Sequence, residues 1–215
     1  MDLHNIEYKD WFINQGRIPD ESSAEYKAFF NFHKELCMNG CMMDGQYINP
    51  FLYWHLNIWH TEVDTIDEYG RINQKYANPL LRDNEWLVTN EIDRAHKEKK
   101  GLVILGIRRF AKSVIEASYI GQGATFDENS QNIIAGLNAP DIKLITDKID
   151  KGLNFLPKAW RWQRVEDNWK NQVTLGIKTK AGERIPFSLI LIRNLDGGNN
   201  EEAIAGTKPR RLIID

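Results

Sequence analysis

Apolar positions recur at helical spacing through the first hundred residues, then gather into short runs in the second hundred. Residues 22–40, SSAEYKAFFNFHKELCMNG, place Phe29, Phe30, Phe32, His33 and Leu36 on a helical face. Ser22 and Ser23 offer N-caps and Gly40 a C-cap. NPFLYWHLNIWH, residues 49–60, opens with Asn49–Pro50, an N-cap and first-turn pair. Residues 62–82 read as a polar loop with turns at Tyr69–Gly70 and Asn78–Pro79. DNEWLVTNEIDRAHKEKK, residues 83–100, is an amphipathic helix with Asp83 as its cap and a lysine-rich last turn suited to the helix dipole.

At Gly101 the pattern changes. GLVILGI, residues 101–107, is a continuous apolar run of the kind a strand shows when a parallel sheet buries both its faces. KSVIEASYIGQGATF (112–126) predicts a helix, SQNIIAGLN (130–138) a strand, and APDIKLITDKIDKGLNFLP (139–157) a helix. Two strands, 172–182 and 184–195, flank the turn Ala181–Gly182. A polar Gly/Asn-rich loop follows, and RRLIID (210–215) closes the chain as a short strand ending in an acid. This order predicts an α/β fold, with a helical subdomain over 1–100 and an α/β core over 101–215. A strand that stops on a carboxylate at the last residue also predicts that the natural protein is longer.

Charge and composition narrow the picture modestly. A net charge of −2 argues against nucleic-acid binding through bulk charge and leaves local basic patches open. Two cysteines, Cys37 and Cys41, give no disulfide framework, and a reducing cytosol is the simplest setting. The first residues lack the charged and apolar regions of a signal peptide, and no apolar stretch approaches the roughly 18 residues of a membrane span.

The chemistry concentrates at residues 106–113, GIRRFAKS. The phosphate-loop pattern G-x-x-x-x-G-K-[ST] needs a strand, a tight turn of inward N–H groups and a helix N-terminus facing the anion. Gly106 starts the loop, Ile107, Arg108, Arg109 and Phe110 fill it, and Lys112 and Ser113 hold the lysine and hydroxyl positions. Ala111 stands where the second glycine belongs. A positive φ there would cost alanine about 1 kcal/mol. RRLIID has the form of a Walker B strand, whose aspartate, here Asp215, holds magnesium.

A loop of the form Arg-x-x-[Gly/Ala]-Lys-[Ser/Thr] directly after an apolar strand resembles the ATPase domain of the large terminase subunits of tailed bacteriophages, which are DNA-packaging motors. QYINPFLYWHLNIWH upstream is similar to that family's adenine-side segment, and IAGTKPRRLIID to the approach to its Walker B strand. The likeness is loose over residues 1–45 and good over 46–215. It implies a P-loop NTPase of the additional-strand, catalytic-glutamate (ASCE) class, with a central mainly parallel sheet flanked by helices. It also implies ATP and Mg2+ as cofactors. Lys112 and Ser113 would bind phosphate and magnesium, Asp215 magnesium, and Arg108 or Arg109 the γ-phosphate. Gln46, Asn49 and Tyr53 would contact the adenine. The implied partners are double-stranded DNA, a portal protein, the small terminase subunit and further copies in a ring, in the host-cell cytoplasm and without a membrane.

The departures are Ala111 and the end of the chain at Asp215, before the family's catalytic glutamate, coupling motif and nuclease. From these, the chain is expected to bind ATP better than it hydrolyses it. Two other readings stay open at this point: a helicase-like P-loop ATPase, and a non-enzymatic protein whose loop holds another anion.

The remaining polar residues have plainer expectations. His33, Cys37 and Cys41 recur every four residues, but Gly40 ends the helix before Cys41, so packing is expected rather than zinc. His55 and His60 are expected to be satisfied and partly buried. Trp54, Trp59, Trp160 and Trp162 are expected in the core, with base stacking as the sharper alternative. Residues 97–100, KEKK, read as a solvated helix end, and Glu201 and Glu202 as exposed loop residues. Arg210 and Arg211 face either solvent or a neighbouring subunit.

Overall fold

The structure, a computed structural model, describes residues 19–43, 45–104, 111–195 and 207–215. Two compact units divide between Ile115 and Glu116.

In the first unit, α1 spans Ala24–Asn39 and buries Phe30, His33 and Cys37. Gly40 ends it with φ 73° and an N–H donated to the Leu36 carbonyl at 2.9 Å. A Cβ at Gly40 would lie 2.5 Å from the Ile48 carbonyl oxygen, so no larger residue fits this turn. The chain then forms a tight antiparallel hairpin, β1 (Cys41–Met43) with β2 (Gln46–Ile48). Helix α2, Pro50–Asn57, is buried all round from Phe51 to Asn57. It packs on α1 and on α3 (Asp83–Glu98), as a helix without a polar face must.

The polar stretch expected as a loop is instead an antiparallel hairpin, β3 (Thr61–Ile66) with β4 (Ile72–Ala77). β3 alternates in burial from Thr61 to Thr65 but buries only Thr61 fully, and β4 is exposed as far as Lys75, so no apolar period marks the hairpin in the sequence. The Asp67 carboxylate holds the turn, accepting from the backbone N–H groups of Tyr69 (3.0 Å) and Arg71 (2.9 Å). Asp83 begins α3 but does not cap it. The Glu85 carboxylate reaches back to accept the Arg82 N–H at 3.0 Å.

In the second unit, α4 (Lys112–Phe126, its first turn in the first unit) is followed by β5 (Ser130–Gly136) and α5 (Ala139–Phe155). A 3-10 turn, Lys158–Trp160, leads to β6 (Gln163–Asn168), β7 (Gln172–Lys178), β8 (Arg184–Asn194) and β9 (Arg211–Ile214). The sheet order is β6-β7-β8-β5-β9.

This corrects the expected mainly parallel sheet. β5 runs parallel to β8 and β9, but β6–β7 and β7–β8 are antiparallel. Two short turns join β6, β7 and β8, and strands so joined cannot be parallel neighbours. Residues 101–104 form no strand, and Val103 is 85% exposed, so the first part of GLVILGI is not the buried strand that its apolarity predicted. Its last three residues lie outside the described ones. Among the described residues no helix is long and apolar enough to cross a membrane.

Two buried groups of the first unit oppose each other in pH. Burial raises the Glu85 carboxyl to about 7 from an ordinary 4.5, against the pull of Arg82. Folded Glu85 therefore keeps its proton between pH 4.5 and 7 while the unfolded chain loses it, so its stabilisation fades as pH rises. Burial lowers the His55 imidazole to about 3 from 6.5, so its stabilisation is present above pH 6.5 and fades as pH falls. Between pH 4.5 and 6.5 the two effects cancel. Urea unfolding of Glu85→Gln, which keeps the capping oxygen, should expose the histidine slope as stability rising with pH by on the order of 1 kcal/mol per unit. A profile unchanged from wild type would show that Glu85 is ionised when folded.

Candidate functional site

Helix α4 opens on the motif residues Lys112 and Ser113. Ala111, directly before it, has φ 61°, the left-handed region that favours glycine. Its carbonyl accepts the N–H groups of Val114 (2.9 Å) and Ile115 (3.1 Å), which starts the helix. Lys112 and Ser113 follow as the first two helical residues, both half-buried. The backbone at position 111 thus takes the shape for which the phosphate-loop pattern reserves a glycine. Gly106, Ile107, Arg108, Arg109 and Phe110 lie outside the described residues.

The later turns of α4 are buried almost throughout and fastened to the sheet. The Ser188 hydroxyl donates to the Ala124 carbonyl at 2.6 Å and the Trp162 indole N–H to Thr125 at 2.9 Å. From β9, the Arg211 guanidinium donates to the Tyr119 carbonyl and to Gln122 Oε1 (2.9 Å). It lies 4.3 Å from the Tyr119 ring centroid and 3.4 Å from the Asp127 carboxylate. Its side chain is 9% exposed, and burial holds its pKa below the ordinary arginine value. Arg211 therefore faces neither solvent nor a neighbour but crosses α4 within its own unit. Arg210 stays more exposed, 3.9 Å from Asp127.

Gly123 makes the crossing possible. A Cβ there would fall 2.5 Å from both Arg211 Nε and Asn132 Oδ1. Sequence reading missed Gly123, because a mid-helix glycine reveals a close approach only when the partner is known.

Asp215 directly follows β9, where the three parallel strands finish together. Its N–H donates to the Ala135 carbonyl at 2.9 Å, and its own carbonyl accepts from Leu137 at 3.4 Å. Leu195, just past β8, donates to the Gly136 carbonyl at 2.8 Å. The carboxyl ends of parallel strands are where open α/β sheets bind ligands.

The three residues expected to contact adenine belong to the first unit. Asn49 is fully buried as the α2 cap, accepting from Leu52 N–H at 2.7 Å and donating to Asn90 at 3.0 Å. The buried Tyr53 hydroxyl pairs with His33 Nδ1 at 2.7 Å. Gln46 sits half-buried on β2.

The plainer expectations resolve one by one. His33 is taken up by Tyr53, and Cys41 lies on β1 beyond the helix end. Trp54 packs with Trp59, Trp160 against Phe126 and Trp162 against Phe187, all as packing aromatics. In KEKK, Lys97 pairs with Asp93 and Lys100 with Glu98 on the helix end. His60 Nδ1 lies 3.0 Å from the Ile58 carbonyl oxygen, as expected of a satisfied histidine. His55 differs. It is fully buried, and neither ring nitrogen has a hydrogen-bond partner among the described residues. Glu201 and Glu202 lie outside the described residues.

No family profile matches this sequence, and no curated protein matches it.

Two stability measurements follow. Arg211→Ala leaves buried acceptors and Asp127 without their cation, and Gly123→Ala drives a methyl group into the same place. Each should cost about 2–4 kcal/mol in urea unfolding. Arg211→Met should recover part of that loss, because it removes the charge and keeps the packing. A loss below about 0.5 kcal/mol for both Arg211→Ala and Gly123→Ala would show that the crossing is not a stabilising element. At the helix start, Ala111→Gly should raise stability by up to about 1 kcal/mol, and Ala111→Val should lower it by more than that. The reverse order would contradict a left-handed residue 111.

Proposed function

We propose that this protein is the ATP-binding motor part of a DNA-packaging ATPase of the large-terminase kind, with residues 106–113 as its phosphate loop. One observation carries the reading: Ala111 adopts the glycine-type backbone directly before a Lys-Ser helix start. An alanine held at φ 61° costs energy, and backbone strain of this kind clusters at functional sites, which agrees with a loop shaped for a purpose. The position of Asp215 at the carboxyl ends of β5, β8 and β9 supports the same reading.

The chemistry assigned to each residue follows from its type. The first-turn N–H groups of α4 and the Lys112 ammonium favour the phosphates. Arg108 or Arg109 contacts the γ-phosphate. The Ser113 hydroxyl and the Asp215 carboxylate are each a hard oxygen ligand of the kind Mg2+ takes, and that ion would neutralise charge on the phosphates. In the assembled motor this part drives double-stranded DNA through a portal as one subunit of a ring, together with a small terminase subunit. A mixed sheet is compatible with this chemistry, since a phosphate loop uses a helix start and strand ends rather than the polarity of distant strands.

Binding of a non-hydrolysable ATP analogue tests the reading. Affinity should require Mg2+ and fall about 10- to 100-fold in Lys112→Ala, the worth of a charge-assisted phosphate contact. Equal affinity for wild type and variant, or binding that sulfate matches without magnesium, would overturn it in favour of a general anion site.

A further inference from the structure

Strands β7 and β8 run on past both of their neighbours. β6 meets β7 only as far as Gly176, and β5 meets β8 only from Ser188. Residues 177–186 thus form a two-stranded arm, exposed at every position except the half-buried Thr179. A type of turn with glycine at its last bend closes it. Gly182, φ 84°, donates to the Thr179 carbonyl at 3.0 Å, and Thr179 donates to Glu183 at 2.9 Å. Its base is pinned at a register shift beside Gly176, where a Cβ would lie 2.1 Å from the Ile185 carbonyl oxygen.

The two faces of the arm differ. Ile177 pairs across the strands with Ile185, and Lys178 with Arg184. Successive side chains alternate, so the two cations share the face opposite the isoleucines. Lys180 lies in the turn beyond them. Like charges set directly opposite each other destabilise a strand pair. None of Lys178, Lys180 and Arg184 has a carboxylate partner among the described residues, whereas Arg71, Lys97, Lys143 and Arg164 all have one. The arm also carries the exposed Glu183, next to Arg184, so three cations against one carboxylate leave a net charge of +2 on one narrow projection of a chain of net charge −2, a local charge suited to an external anion.

We infer that the β7–β8 arm is a contact for the phosphate backbone of double-stranded nucleic acid, made by Lys178, Lys180 and Arg184. A two-stranded ribbon has the width a major groove admits, and cations along its face meet successive phosphates without reading sequence. An acidic protein would be met by a broader patch of mixed polarity than by this ribbon. The choice of DNA as the polyanion rests on the proposed motor function; the arm itself does not.

Fluorescence anisotropy with a short random-sequence DNA duplex over a salt series tests the inference. Each phosphate contact adds about 0.9 to the slope of log affinity against log salt. The triple variant Lys178→Ala/Lys180→Ala/Arg184→Ala should flatten that slope by about 2.7 and weaken low-salt binding at least about tenfold. Its melting temperature should not fall below the wild-type value, since an opposed pair of like charges is removed, and its ATP-analogue affinity should stay at the wild-type value. Lys143→Ala/Lys148→Ala/Lys170→Ala, which removes the same charge elsewhere, should change the slope by less than about 1. An arm variant with the wild-type slope, equal losses in both triple variants, tighter binding to poly-glutamate than to duplex, or no duplex binding by the wild type would each overturn the inference. Loss of duplex binding in the arm variant, beside unchanged ATP-analogue binding in Lys112→Ala, would uphold the arm and remove the ATPase reading.

Discussion

A guanidinium taken out of water must be compensated, and in the second unit Arg211 is met by two acceptors of α4 at one nitrogen and by the Asp127 carboxylate, 3.4 Å from Nε, as an ion pair without a hydrogen bond. Its partners come from two turns of α4, the ring of Tyr119 and the carboxylate of Asp127. That set fixes where β9 lies against α4 and, through β9, where β5 and β8 run beside it. Gly123 and Asn132 complete the constraint by leaving no spare room around the crossing. Replacing such a buried charge with well-packed apolar groups is often neutral, so its contribution is to specify one arrangement of helix and strand rather than to add raw stability.

Helix α4 begins with Lys112 and Ser113, and Asp215 directly follows β9, which ends at Ile214. A strand fastened by its first residue and hydrogen-bonded to Ala135 and Leu137 at its end leaves Asp215 little backbone freedom. A phosphate loop in turn needs a helix start that does not fray, and α4 is anchored along its buried turns by Ser188, Trp162 and Arg211. The left-handed Ala111 is tolerated in that setting, where the packing of the following helix outweighs about 1 kcal/mol of local strain.

Much of the fold was legible in the sequence, for identifiable reasons. Helices α1, α2 and α5 announce themselves by capping residues and periodicity, and β5, β8 and β9 by apolar runs. The hairpin β3–β4 was illegible because the inward positions of β3 carry Thr61, Val63 and Thr65 rather than large apolar residues, and β4 is largely exposed, so burial leaves no apolar alternation to read. β6 was missed for a similar reason: only Val165 along it is fully buried. GLVILGI misled in the opposite direction, since apolarity reports a need for burial and not the conformation that meets it. The sheet's mixed polarity was implicit in the turn at Ala181–Gly182 but was outweighed by the parallel reading of the flanking runs. At the candidate site, residue types at 111–113 were readable from spacing, whereas the φ of Ala111 and the path of Arg211 depend on three-dimensional packing. Asn49 and Tyr53 show the same limit, because their polar groups could serve a ligand or a neighbouring residue and the structure gives them the latter partners.

The central claim is that the backbone leading into α4 is an anion-binding loop for MgATP. Amide hydrogen exchange, measured with and without the Mg2+ complex of a non-hydrolysable ATP analogue, examines that backbone directly. The account predicts slower exchange over residues 106–115 that requires both magnesium and Lys112. Exchange at 106–115 unchanged by saturating nucleotide, or slowed equally by sulfate alone, would contradict it.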